Sequence, residues 1–221
     1  MLPTNLKTIP LFSELSVDEI AALAQMTTTR TFAKNTVVIN EGDHTDALYI
    51  INSGRSAVTK IHEDGKEMVV AVLGPGDYFG EMALIDEQPR SANVITKEPS
   101  QFSIVMKQDF QRLLMTNPEL SLKIMKGLSQ RLRSAMRQIE GLAFMDVYGR
   151  IARLLLEIAS PPDPDSGDRT IAEPLTHKDI ASRVGASREV ISRIMKDLAT
   201  GGYISTHNKR ITIHSRLPPA W

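Results

Sequence analysis

Residues 175–204, LTHKDIASRVGASREVISRIMKDLATGGYI, hold two helical patterns separated by about three residues. Thr176 and Asp179 make a TxxD start, in which hydroxyl and carboxylate satisfy free backbone N–H groups, so a short helix opens there and runs through Val184. Gly185 is placed to end it in a tight turn, and Ser187 to cap the next helix. On that second helix Ile191, Ile194, Met195 and Leu198 fall at i, i+3, i+4 and i+7 and share an inward face. Arg188, Glu189, Ser192, Arg193 and Lys196 share the opposite face, with most of the charge near the N-terminal turns. This is the pattern of a helix-turn-helix, whose second helix lays its N-terminal side chains into the major groove of double-stranded DNA.

The residue types suit base edges. An arginine fork donates to O6 and N7 of guanine and a glutamate accepts from N4 of cytosine, so Arg188, Glu189 and Arg193 suit G·C pairs. Phosphate repels a carboxylate, so Glu189 implies either a specific base contact or pairing with Arg193 four residues on. Beyond the second helix, GGYISTHNKRITIH (201–214) reads as a turn and two short strands, a wing whose His207, Lys209 and Arg210 reach phosphates. Thr176 and Ser187, at the two helix starts, complete the candidate DNA-contacting set.

Upstream, the pattern is helical for almost 30 residues after Pro118. Met125, Leu128, Leu132, Ala135, Ile139 and Leu142 repeat at spacings of 3 and 4, flanked by Lys123, Arg131, Arg133 and Arg137. Such a helix is about 40 Å long, more than one small barrel needs, and its seam predicts a parallel homodimer. A further helical run, MDVYGRIARLLLEIA (145–159), ends at SPPDPDSGD (160–168), which has the chemistry of an exposed loop.

Nearer the start, LSVDEIAALAQM reads as a short helix capped by Ser16. TVVIN, ALYIIN, SAVTKI and KEMVVAVL then alternate with EGD, NSG, EDG and GPGD, the texture of closely spaced antiparallel strands in a jelly roll, with Asp64-Gly65 as a hairpin signal. The chain is thus read as α+β: a jelly-roll β-barrel over 1–117, a dimerisation helix over 118–145 and a winged helix-turn-helix over 146–221.

Composition narrows the chemistry. The 221 residues contain no cysteine, which excludes disulfides, thiolate metal sites, iron-sulfur clusters and cysteine nucleophiles. MLPTNLKTIPLF lacks the charge and apolar run of a secretory leader, and no run is long enough to span a membrane, so a cytoplasmic protein without a membrane partner is expected. Net charge is zero, but residues 1–120 carry 10 basic and 16 acidic side chains and 121–221 the reverse, pointing to different partners for the two halves. The five histidines, at 44, 62, 177, 207 and 214, are scattered, and neither a metal motif nor a carboxylate pair suggests catalysis. No metal or heme is expected, and the chain is read as not an enzyme.

One stretch remains: GDYFGEMALIDEQPRSANV (76–94), with Glu81 and Arg90 in a segment otherwise poor in positive charge. Its core resembles the phosphate-binding cassette of cyclic-nucleotide-binding domains. Together with GLAFMDVYGRIARLLLEIA and GASREVISRIMKDL, it makes residues 10–215 resemble the CRP/FNR transcription factors, in their cyclic AMP receptor branch. The resemblance implies a cyclic nucleotide effector. In a short helix from Gly80 to Leu84, the backbone N–H groups of Gly80, Met82 and Ala83 would meet the cyclic phosphate, with Arg90 as bidentate cation and Ser91 as hydroxyl donor. Glu81 would accept from the ribose 2′-OH, and Val58, Val70, Ala71 and Met82 would line the base pocket. The alternative is a buried Glu81–Arg90 ion pair in an empty barrel.

The chain departs from that branch where a Thr-Ser pair on the dimer helix would meet adenine: Ala135 and Met136 stand there and cannot form the same hydrogen bonds. Cyclic AMP is the expected ligand. Cyclic di-GMP is the alternative, because Arg131, Arg133 and Arg137 offer forks for guanine, although coating the coiled-coil exterior accounts for at least two of them. A ligand-independent DNA-binding regulator is a further reading. The resemblance also implies a two-fold DNA site with TGTGA-like halves and RNA polymerase contact near Ser160–Asp168.

Overall fold

The computed structural model describes residues 9–13, 15–214 and 217; residues 1–8 of the N-terminal stretch read above lie outside them. The chain divides into two compact units, 1–133 and 134–221, with the boundary inside one long helix.

The first unit opens with a 3-10 turn, Pro10–Phe12, and α1 (Val17–Met26). Ser16 caps α1 as expected: its side chain accepts from the Glu19 N–H while the Glu19 carboxylate accepts from the Ser16 N–H. Two four-stranded antiparallel sheets follow. One is ordered β1 (Thr27–Phe32), β8 (Ser100–Met106), β3 (Ala47–Ser53), β6 (Tyr78–Phe79). The other is β2 (Val37–Ile39), β7 (Asn93–Thr96), β4 (Ser56–Ile61), β5 (Glu67–Leu73). This is the expected jelly-roll arrangement. The hairpin joining β4 and β5 does turn at Asp64-Gly65, with Gly65 at φ 81° and the His62 N–H closing onto Lys66 O at 2.9 Å.

Alternation along β3 explains how the first sheet is buried on both faces. Tyr49 and Ile51 join Ile39, Leu73, Phe79, Val94 and Phe102 between the sheets, where Tyr49 stacks on Phe79 at 5.0 Å. Leu48 and Ile50 face the other way, into a second core with Leu23, Leu84, Phe110, Leu120 and Ile124. That core is closed by α1, by α2 (Glu81–Asp86), by α3 (Lys107–Thr116) and by the first turns of α4 (Pro118–Phe144).

At 27 residues α4 has the length the heptad pattern implied. Much of its seam is open: Met125 is 55 % exposed, Leu132 63 %, Ile139 65 % and Leu142 46 %, whereas Leu128 packs on the core of the first unit and Ala135 is half-buried.

In the second unit, α5 (Val147–Ile158) starts on an Asp146 cap and packs Tyr148, Ile151 and Leu155 against α6 (His177–Val184) and α7 (Arg188–Thr200). The three-stranded antiparallel sheet has order β10 (Ile204–His207), β11 (Arg210–Ile213), β9 (Arg169–Ile171). Asn208 and Lys209 join β10 to β11, both at positive φ (51° and 63°), a two-residue turn whose twist matches the strands. Among the described residues no helix is long and apolar enough to cross a membrane.

Candidate functional site

In the first unit the helix of the cassette is Glu81–Asp86, one residue later at its start and two longer at its end than the pattern suggested. Gly80 is its N-cap in the left-handed region, φ 87°, where a side chain would be strained. Space forbids one as well: a Cβ there would lie 2.5 Å from Arg90 Nη1 and 3.0 Å from Ala47 O.

Glu81 and Arg90 are both buried, at 1 % and 3 % exposure, yet they are not each other's partners. Arg90 Nε donates to Thr45 Oγ1 (2.6 Å), Nη1 to Gly80 O (2.5 Å) and Nη2 to Ala47 O (2.6 Å). Its backbone is tied to the 42–43 turn, the Arg90 N–H donating to Asp43 O and the Gly42 N–H to Arg90 O, each at 2.9 Å. Glu81 instead accepts from Arg131 Nη1 of α4 at 2.6 Å, and Arg131 Nη2 donates to Tyr78 O.

The electrostatic consequence is an unbalanced site. Arg90's three bonded acceptors are neutral, and among the described residues no carboxylate forms an ion pair with it; Glu81, Asp46 and Asp43 act only from farther away. Burial pulls its pKa below the usual guanidinium range, the sign of a cation held out of water without a counterion. Of five guanidinium N–H donors two stay available, one on each terminal nitrogen. Ser91, exposed beside this site, donates from Oγ to Met82 Sδ at 3.9 Å, while Ala83 is half-buried in the first turn of α2.

The apolar candidates lie on the second sheet. Val58 faces Ala71 across β4 and β5, and the register then slips so that Thr59 faces Val69, leaving Val70 as the extra residue of a bulge. Val58 and Ala71 pack on the inter-sheet core, and Met82 is 45 % exposed. Ala135 and Met136 lie farther along α4, in the second unit; Met136 is 61 % exposed and Ala135 half-buried.

In the second unit both helix starts are built as expected. Thr176 and Asp179 form a capping box, with the Thr176 hydroxyl donating to Asp179 Oδ2 at 2.5 Å, and Ser187 accepts from the Val190 N–H at 3.3 Å. Gly185, φ 67°, turns the chain between the helices, and a Cβ there would press on Leu142 at 3.3 Å. Ile191, Met195 and Leu198 are buried, while Arg188, Glu189, Ser192, Arg193 and Lys196 are exposed together. Among the described residues no ion pair joins Glu189 to Arg193, so both side chains face solvent unengaged. His207 and Lys209 project from the wing, also exposed.

Two relationships lie outside the sequence reading. Arg131 as the partner of Glu81 is 50 residues distant, and nothing in the local spacing marks it among its neighbouring arginines. The other is His214, with Nδ1 2.8 Å from Asp168 Oδ2 and Nε2 2.7 Å from Ser205 Oγ, tying the 160–168 loop to the wing.

Known proteins share both halves of this arrangement. The Cyclic nucleotide-binding domain family matches residues 29–117 and the Crp-like helix-turn-helix domain family residues 149–216. The chain is 35 % identical over 184 residues to the cAMP-activated global transcriptional regulator CRP of Pasteurella multocida (strain Pm70), covering 83 % of this chain and 88 % of that one. It is 31 % identical over 204 residues to the CRP-like cAMP-activated global transcriptional regulator of Mycobacterium tuberculosis (strain CDC 1551 / Oshkosh), covering 92 % and 91 %. Among solved structures, the c-di-GMP responsive global regulator CLP of Xanthomonas campestris superposes with a TM-score of 0.78 at 26 % identity, covering 91 % of this chain and 100 % of that one. With a cyclic nucleotide-binding domain, a DNA-binding helix-turn-helix and relatives of this kind, the chain belongs to the CRP/FNR family, whose members are transcription regulators and not enzymes.

Proposed function

We propose that this regulator acts as a homodimer that takes cyclic AMP in its first unit and binds a two-fold DNA site with TGTGA-like halves through α7. The observation that carries the ligand reading is Arg90: a buried guanidinium with three neutral acceptors, no ion-pair partner among the described residues and two N–H donors to spare. A singly charged cyclic phosphate would supply the missing anion bidentately, with Ser91 donating a further hydrogen bond and Val58, Val70, Ala71 and Met82 covering the base. Glu81 would accept from the ribose hydroxyl, in competition with Arg131.

The dimer is supported by the open seam of α4, whose exposed Met125, Leu132, Ile139 and Leu142 would be buried against a second copy. Base readout falls to Arg188, Glu189 and Arg193, with Ser192 and Lys196 beside them. Thr176, Ser187, His207 and Lys209 hold the backbone. RNA polymerase is the further partner proposed for the Ser160–Asp168 loop.

Cyclic di-GMP is the second reading. It is favoured by Ala135 and Met136, which lack adenine-binding groups, and by similarity to a regulator described as c-di-GMP responsive. Calorimetric titration with cyclic AMP, cyclic GMP and cyclic di-GMP, with Arg90→Ala as control, separates the two. Cyclic AMP binding that the variant abolishes is the expected result. Binding of cyclic di-GMP alone would replace cyclic AMP as effector, and no binding by any of the three would leave a ligand-independent DNA-binding regulator.

A further inference from the structure

Gly127 lies in the interior of α4, with no left-handed dihedral to require it, at a position where glycine weakens a helix and alanine strengthens it. Tyr78 supplies the reason. A Cβ on Gly127 would lie inside the van der Waals envelope of Tyr78 Oη, and 3.4 Å from Cζ. The phenol therefore occupies a notch in the helix surface that only glycine leaves open.

Tyr78 is 9 % exposed, and its hydroxyl has no hydrogen-bond partner among the described residues. Arg131 lies over its ring, Cζ 4.8 Å from the centroid, and donates to both Tyr78 O and Glu81. One tyrosine thus carries the seat of the helix and the arginine that holds the pocket carboxylate.

We infer that Tyr78 and Gly127 are positioning residues that set where the first turns of α4 rest on the strand sandwich, and that the unpartnered phenol makes this seat one the helix can leave. A buried hydroxyl without a partner costs free energy that hydration returns, so it favours a second position in which α4 has moved off it. Arg131 opposes that movement by gripping Glu81 and Tyr78 together. A ribose hydroxyl on Glu81 competes for the same carboxylate and loosens the grip. This deepens the cyclic-nucleotide reading and rests on it for its functional consequence; the notch itself does not depend on a ligand.

The test uses the full chain and three variants: Gly127→Ala, Tyr78→Phe and the two combined. Hydrogen exchange of residues 118–133, followed by mass spectrometry without nucleotide, reads the seat directly. Gly127→Ala is expected to accelerate exchange about tenfold although alanine is the better helix former. Tyr78→Phe alone should slow it, and the double variant should return to within about twofold of the parent, since Cζ leaves room for a methyl group. Exchange in Gly127→Ala equal to or slower than the parent, or a double variant no slower than Gly127→Ala, would overturn the inference. So would Tyr78→Phe exchanging faster than the parent. Cyclic AMP titration of the same proteins is expected to show affinity altered about tenfold by Gly127→Ala and restored in the double variant. If the parent protein binds no nucleotide, the ligand reading fails by itself, and the exchange result still decides the notch.

Discussion

Arg131 Nη1 lies 2.6 Å from Glu81 Oε1, joining the long helix to a carboxylate that is 1 % exposed. Arg131→Ala leaves that carboxylate buried without its cation. Solvent screens the arginine, which is 37 % exposed, so the expected destabilisation is about 1–3 kcal/mol, below that of a fully buried pair. Adding Glu81→Gln should recover part of it, and urea unfolding of both variants checks this.

Arg90→Lys keeps the charge and loses the fork. One ammonium cannot serve Thr45, Gly80 O and Ala47 O while offering two donors to an anion. We expect nucleotide affinity to fall at least about tenfold and stability by about 1–3 kcal/mol, measured by titration and by denaturant midpoint.

Alkaline pH should expose the burial of Tyr78. Burial raises its pKa, against the pull of Arg131 and with Glu81 and Asp77 adding to the rise. An unfolded tyrosine ionises near pH 10. The folded value is higher, so this contribution to stability is complete below about pH 10 and is lost as pH rises through the folded value. Tyr78→Phe should flatten stability against pH in that window; an unchanged slope would mean that the phenol is hydrated.

DNA readout is expected to divide by residue. Arg193→Ala should cost about 1–3 kcal/mol on the preferred sequence and little on a scrambled one. Lys209→Ala should weaken both alike and lower the salt slope by about one. Fluorescence anisotropy on the two duplexes across a salt series separates these outcomes, and uniform loss in both variants would remove Arg193 from base readout.

His214→Ala cuts the tie between Asp168 and Ser205. Loss of two half-exposed contacts is expected to cost about 1 kcal/mol, with faster hydrogen exchange confined to residues 160–170 and the wing.

The second unit was the more legible from sequence because its signals are local. Capping boxes, an i, i+3, i+4, i+7 stripe and a glycine turn act within a few residues, and each reappears at Thr176–Asp179, Ile191–Leu198 and Gly185. The cassette was legible as a motif but not as a network. Its partners Thr45, Ala47 and Arg131 lie about 40 to 50 residues away, and long-range pairing leaves no periodicity to read. Glu81 and Arg90 are close in sequence, and what folding adds is a separate set of partners for each, so the alternative of a direct ion pair between them is not what the structure holds. Strands β1, β7 and β8 were missed for a related reason. β1, TTTRTF, is mostly exposed and carries little apolar alternation. β7 and β8 bury Thr96 and Ser103, polar residues whose hydrogen bonds go to Ala33 O and Asn52, more than 50 residues away.

The tip of the wing shows a trade-off. Asn208 and Lys209 both adopt backbone angles that glycine would occupy without strain, and at the second of them glycine would make the hairpin more stable. Lysine there places an exposed cation at the turn of the hairpin at a cost in backbone strain. On the phosphate contact proposed for Lys209, a thermostabilised version of this protein made by consensus hairpin design is expected to gain melting temperature and lose DNA affinity, and a selection for DNA binding to put the strained residue back.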